Sequence, residues 1–372
     1  MAGDATFLVH GDLHNHTLLS DGKGDPEGAF GQLAAAGLDF AALTDHASIP
    51  FHSIPTLDPS AYPDEDALRR ARNPPRSFDD AAWRRTADLA DGADEPGRFT
   101  AIRGFEWTEP WLGHANVWFS DGYHDVQDPG QVCGLHDWLG REEPDALFGY
   151  NHPGREPGRF EDFTLVPSLA PRMVGLEAFN REDDYLFAEW SPGGASGLVQ
   201  CLDAGWRPGL VGVSDEHGPS YGLVGKGRTG LWVTELSRPG VRAALLARRS
   251  FATREVGLRL DATLGGARMG GVLSGPGQVE LAVDVDAGEH HAGAAVELQV
   301  LGSGEDGVPD VLAVATASSG SVTRMPVEVG ERHDWVLVRV ADPSRANRWP
   351  GPPRHPGNSY ALAYASPWYA AR

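Results

Sequence analysis

The sequence predicts an α/β protein, a parallel barrel or sheet over residues 1–253, followed by an all-β, sandwich-like unit over residues 254–372. Three observations predict it. Up to about residue 250, short apolar runs alternate with helix-like stretches, the pattern of β/α units. Each of those apolar runs stops at a group of His, Asp, Glu or Asn, and functional loops gather at the C-terminal ends of parallel strands. After "ALLARRSFAT" (residues 244–253), runs of alternating apolar and polar residues are separated by glycine turns, which is sandwich patterning.

Taken in order, "TFLVHGDLH" reads as the first strand. "DPEGAFGQLAAAGL" is a short helix, with Pro26 in its first turn after Asp25 and Gly37 at its end. "DFAALTDH" is the next strand. Residues 51–98, rich in Pro, Arg and Asp, read as a surface insertion, either a solvated connection or a substrate lid, and "FDDAAWRRTADLADG" within it is a helix candidate. The strands "RFTAIRGFEW", "HANVWFS", "ALFGYNH", "RMVGLEAFN" and "GLVGVSDEH" follow. Beyond the boundary come "VGLRLDATLGGARMGG", "GQVELAVDVDAG", "AAVELQVLGSG" and "DWVLVRVAD", all with the period of half-buried strands.

A chain of 372 residues can bury a large core, and 41% hydrophobic with 22% charged residues is a globular composition. A formal net charge of −21 argues against a nucleic-acid backbone or an anionic membrane surface as the main partner. Cys133 and Cys201 are too few for a disulfide framework. The N-terminus has no basic segment leading into an apolar one, and no apolar run reaches membrane-spanning length, so a soluble, cytoplasmic protein is expected.

The histidines carry the chemistry. His14 and His16 lie two apart on an extended segment, so both point to one face and can share one ion. Asp21 follows after a short loop, "TDH" supplies His46, "GFEW" supplies Glu106, and His114 comes eight residues later. "NHP" supplies His152, and "SDEH" supplies Asp215 and His217. Singly, each has a plainer reading as a turn or loop residue. Together and in order, nine imidazoles and carboxylates without thiolate suit Zn, Mn or Fe at a hydrolytic centre. Nine is too many for one ion and suits two or three that share a bridging carboxylate. His10, His52, His124, His136, His290, His291, His333 and His355 lack such company.

Arg155 in "NHPGRE" and Arg181 in "AFNRED" follow strand ends and are candidates for binding an anionic small-molecule substrate. Lys226 and Arg228 in "VGKGRTG" are weaker candidates, and that run lacks P-loop spacing. Trp107 and Trp111 either line the pocket or belong to the core. Asp45 either orients His46 or is a turn carboxylate. No nucleophile-elbow serine is present.

The ordered set "DLHNHTLLSDG", "LTDH", "GFEW", "NHP" and "VSDEH" resembles the polymerase and histidinol phosphatase (PHP) family over roughly residues 6–253. The resemblance implies a distorted (β/α)7 barrel with a trinuclear metal centre that hydrolyses phosphate esters. It puts His14, His16, Glu106 and Asp215 on one ion, bridging Glu106 with His114 and His152 on a second, and Asp21, His46 and His217 on a third. Asp21 stands where many relatives carry histidine, which favours Mn or Fe there. The tail resembles the C-terminal β-domain of bacterial PHP metallohydrolases that include carbaryl hydrolases, extending the implied chemistry to carbamate or carboxyl esters. The implied mechanism is attack by a metal-bridging hydroxide on phosphorus or a carbonyl carbon. Asp215 or His217 would then shuttle a proton to the leaving group. A non-catalytic, metal-stabilised binding module is the remaining alternative. Oligomeric state is left open, and the family pattern gives Asp12 no ligand role.

Overall fold

The computed structural model describes residues 5–47, 78–124, 126, 132–288, 291 and 293–371. Strands β1 (Phe7–Asp12), β2 (Phe40–Leu43) and β3 (Thr100–Glu109) run parallel, with Gly11 opposite Phe40 and Phe40 opposite Thr100. Helix α1 (Pro26–Ala35) links the first two: the Asp25 side chain caps the Glu27 N–H, and Gly37 leaves the helix at φ +82. Helix α2 (Asp80–Ala93) precedes β3, capped by Asp79 and buried through Trp83, Thr86 and Ala90. The part of the expected insertion that precedes residue 78 lies outside the described residues, as does His52.

β4 (Gly113–Trp118) returns antiparallel to β3, and β5 (Leu147–Tyr150) is antiparallel to β4. The wholly parallel arrangement expected from the apolar runs therefore breaks here. Only Pro110, Trp111 and Leu112 separate β3 from β4, far too few for a parallel crossover. After helix α3 (Cys133–Arg141) and β5, parallel pairing resumes through β6 (Met173–Asn180). The two-residue strand β7 (Asp183–Asp184) folds back on the end of β6. Helix α4 (Gly197–Asp203) then leads to β8 (Gly209–Val213), parallel to β6. β9 (Arg228–Val233) runs antiparallel to β1, and helix α5 (Arg238–Leu246) leads to β10 (Ser250–Thr253), antiparallel to β9.

The remaining chain is all β: β11 (Arg259–Leu264), β12 (Ala267–Arg268), β13 (Gly277–Asp286), β14 (Ala295–Gly302), β15 (Asp310–Ser318), β16 (Ser321–Val329), β17 (Trp335–Ala346), β18 (Ser359–Ala365) and β19 (Trp368–Tyr369). β12, β11, β13 and β16 form a four-stranded sheet. β15, β14, β17 and β18 instead extend the large sheet, because β18 pairs with β10, Phe251 opposite Ala365. A single fifteen-stranded ladder thus passes through the expected boundary near residue 253.

Period-two patterning explains the packing. Leu260, Ala262 and Leu264 of β11 and Leu281, Val283 and Val285 of β13 meet Val336, Val338 and Val340 of β17 in one apolar core. The other face of β17, with Trp335 and Leu337, joins the core beneath β5 and β6. The first half of β17, residues 335–341, is therefore buried on both faces, and each fully buried side chain of this size stabilises by roughly 2–3 kcal/mol. Among the described residues no helix is long and apolar enough to cross a membrane.

Candidate metal centre

β1 ends at Asp12, whose buried carboxylate accepts the N–H of His14 at 3.2 Å and of Ser214 at 3.1 Å. That bracket joins the exit of β1 to the exit of β8. The two-residue spacing then brings His14 Nε2 and His16 Nε2 to 3.0 Å from each other. Glu106 near the end of β3 lies 3.3 Å from His14 Nε2 through Oε1 and 3.4 Å from His16 Nε2 through Oε2. Asp215 Oδ1, just beyond β8, is 3.4 Å from both imidazoles.

Glu106 also faces a second group. Its Oε1 is 3.3 Å from His114 Nδ1 on β4 and 3.9 Å from His152 Nε2 after β5. A third group forms around Asp21 Oδ1, with His217 Nε2 at 3.3 Å, His46 Nε2 at 3.5 Å and His16 Nδ1 at 3.9 Å. The His16 ring stacks on His217 with centroids 3.9 Å apart. All nine residues singled out in the sequence are thus within one connected cluster, and donor atoms of eight of them, all but Asp215, fall into groups tight enough to hold ions.

Four atoms test whether a metal fits. His16 Nδ1, Asp21 Oδ1, Glu106 Oε2 and His152 Nε2 are buried with no hydrogen-bond partner. Leaving a buried polar atom unsatisfied costs about 1–3 kcal/mol, more when charged, and all four orphans here point into the cluster. Cations held by the groups they belong to would satisfy them, and imidazole with carboxylate is the donor set of Zn, Mn or Fe. Burial alone would raise the Glu106 carboxyl, but His46, His14 and His114 hold it well below the usual carboxylate range. Asp215 is likewise held well below its ordinary value, by His14 and His16 against the effect of burial.

Several contributors escaped the sequence reading. Glu177, on β6, places Oε1 2.8 Å from His14 Nδ1 and accepts the His152 N–H at 2.7 Å and the Asn180 amide at 2.8 Å through Oε2. It turns His14 Nε2 toward the cluster and ties two of the groups together. Glu156 does the same for His152, with Oε2 3.1 Å from Nδ1, and Asn151 donates to Glu106 Oε1 at 2.6 Å. A signal for Glu177 existed: a lone carboxylate in an eight-residue, fully buried strand must have a polar partner.

Asp45 accepts from the Thr17 N–H, the Thr17 hydroxyl and the Ser20 hydroxyl, at 2.7, 2.9 and 2.6 Å. Of its two expected roles the structure shows the turn carboxylate, since His46 Nδ1 instead meets Thr108 Oγ1 at 2.6 Å. By pinning residues 17–20, Asp45 sets where Asp21 stands. Arg181 Nη2 lies 3.1 Å from Asp215 Oδ2 and 3.2 Å from His217 Nδ1, and Arg155 Nη1 is 4.0 Å from Asp215 Oδ2. Both guanidiniums are part-exposed at the margin of the cluster. Lys226 is paired with Glu182 at 2.7 Å and Arg228 is buried in the wall. Trp107 belongs to the core, whereas Trp111 is 60% exposed. His10, His136 and His355 make local contacts to Leu258, Tyr150 and Pro309.

Comparison with known proteins adds the following. A family model described as a protein of unknown function (DUF3604) matches residues 54–129, well under half of the chain. No curated protein matches. Among solved structures, the chain is similar to a two-domain protein containing a predicted PHP-like metal-dependent phosphoesterase from Bacteroides vulgatus ATCC 8482. The identity is 17%, covering 97% of this chain and 96% of that one, with a TM-score of 0.47. It is also similar to an amidohydrolase from Chromobacterium violaceum with bound sulfate and no metal, at 15% identity over 56% of this chain and 88% of that one, with a TM-score of 0.28.

Proposed function

We propose that the chain is a PHP-type metal-dependent hydrolase with a distorted (β/α)7 barrel, acting as a phosphoesterase on a small anionic phosphate ester. One observation carries this reading: four orphaned, buried donor atoms converge in one cluster, with Arg155 and Arg181 at its margin. His14, His16, Glu106 and Asp215 would hold one divalent ion; Glu106, His114 and His152 a second; Asp21, His46 and His217 a third. When bound, such ions activate water and polarise the oxygen of the scissile group.

The chain's own residues do the rest. Arg181 and Arg155 bind the phosphate and orient it, as planar guanidiniums do. Glu177 and Glu156 hold the His14 and His152 rings in place through their Nδ1 atoms. Asp215 and His217, the titratable groups beside Arg181, are where a proton would pass to the leaving group.

The test combines metal analysis with turnover of a phosphomonoester, a phosphodiester, a carboxyl ester and a carbamate by wild type, His14→Ala and Arg181→Ala. The expected result is two or three ions per chain, phosphoester turnover abolished by His14→Ala, and a raised KM in Arg181→Ala. Less than one ion per chain together with an active His14→Ala would overturn the metal centre. Turnover of carbamates or carboxyl esters alone would overturn the phosphoesterase reading and leave the site standing.

A further inference from the structure

The turn that carries Arg181 is held from outside the site. Arg181 follows directly on β6 and is a non-glycine residue at φ +54, a conformation that costs energy and persists only where the surroundings enforce it. On the side of the site, two backbone bonds secure it: Arg181 N–H to Val213 O and Gly227 N–H to Arg181 O, both 3.0 Å. On the far side, beyond the β6–β7 pairing and the Lys226–Glu182 ion pair, the turn is gripped by residues after 253. Arg254 donates to the Glu182 carbonyl at 2.5 Å and to the Ala361 carbonyl at 2.8 Å. Asp183 Oδ1 accepts from Trp349 Nε1 and Arg348 Nη1, each at 3.0 Å. Asp184 accepts from Tyr364 at 2.7 Å, Asn347 at 2.9 Å and Arg339 at 3.1 Å. Arg339 and Asp184 are fully buried, so this pair is shielded from competing water.

We propose that the C-terminal β unit is a positioning device for Arg181: it clamps the turn 181–184 so that the guanidinium stays against Asp215 and His217. The proposal rests on the anion-binding role given to Arg181 above. Among the described residues the β unit contributes none to the cluster itself, yet it grips consecutive residues of the turn that presents Arg181 to it. Arg254, Arg339, Asn347, Arg348, Trp349 and Tyr364 are positioning residues, acting through backbone geometry.

Asp183 offers the least disruptive test, because its partners Arg348 and Trp349 lie at the protein surface. Asp183→Ala removes the acceptor, whereas Asp183→Asn keeps an oxygen in the same place. In metal-free full-length protein, Asp183→Ala is expected to speed hydrogen exchange at the Arg181 and Gly227 amides by about 10-fold or more. β17 amides should be unaffected, and Asp183→Asn should behave as wild type. In metal-loaded protein, Asp183→Ala is expected to weaken inorganic phosphate binding about 5–10-fold, measured by calorimetry. In an Arg181→Ala background the same change should be under about 2-fold, since the effect passes through Arg181. Unchanged amide exchange, or equal weakening in both backgrounds, would overturn the clamp. Wild type that binds phosphate no better than Arg181→Ala would overturn the anion role of Arg181, and the amide exchange alone would then decide the clamp.

Discussion

His136 turns the core beneath the site into a measurable acid sensitivity. The residue lies on α3, 7% exposed, with Nε2 2.9 Å from the Tyr150 hydroxyl and its ring among Phe148, Tyr150 and Trp206. Burial lowers its pKa from 6.5 to about 4, against the opposing pull of Asp137. The folded state therefore refuses a proton that the unfolded chain takes up, so stability rises with pH between those values and is lost as pH falls through them. Worked through for a single site with these two pKa values, the loss between pH 7 and pH 5 is about 2 kcal/mol. His136→Phe removes this dependence while filling similar space, and at pH 7 it costs about 1–2 kcal/mol for the unpaired Tyr150 hydroxyl. Urea midpoints of chelator-treated wild type and His136→Phe at both pH values give the comparison. The variant should be the less stable at pH 7 and draw level with, or overtake, wild type at pH 5. A stability gap that stays the same at the two pH values would refute the reasoning.

Three further outcomes follow from the contacts described. Glu177→Gln cannot accept from both His152 N–H and Asn180 through its amide nitrogen, so metal affinity should fall about 10–100-fold in a chelator competition; an unchanged affinity would mean that His14 needs no such support. Asp45→Ala frees the segment that places Asp21, and metal analysis after dialysis should show a loss confined to the Asp21, His46 and His217 group, with the ion count lower by one. Gly11→Ala would drive a Cβ into the ring and carbonyl oxygen of Phe40 in the adjacent strand, and should lower unfolding stability by about 2–3 kcal/mol in a denaturant melt.

Much of the site was legible because its residues sit where apolar runs end, and that position survives without knowing which strand pairs with which. His14 and His16 are readable from their spacing, and Asp215 and His217 from the same spacing. Glu177 and Glu156 were not, since one hides inside a buried strand and the other in a turn with nothing local to mark it. The strands "DVLAVATAS" and "SVTRMPVEV" of β15 and β16 went unnamed beside their neighbours, both carrying many exposed positions that blur the alternation. The antiparallel turn at β3 and β4 was equally hidden: an apolar run states that a strand exists and not which way its neighbour points.

The continuity of the large sheet has a consequence for how this chain can be cut or shuffled. A chain ending at residue 253 would present β10 as a bare hydrogen-bonding edge, and the core beneath β5 and β6 would lose Trp335 and Leu337. Such a fragment is expected to aggregate rather than fold as an independent unit. β1, which leads directly into His14 and His16, completes its pairing only when β9 arrives more than two hundred residues later. Recombination at this junction is therefore penalised in folding, whatever the exchanged half could bind.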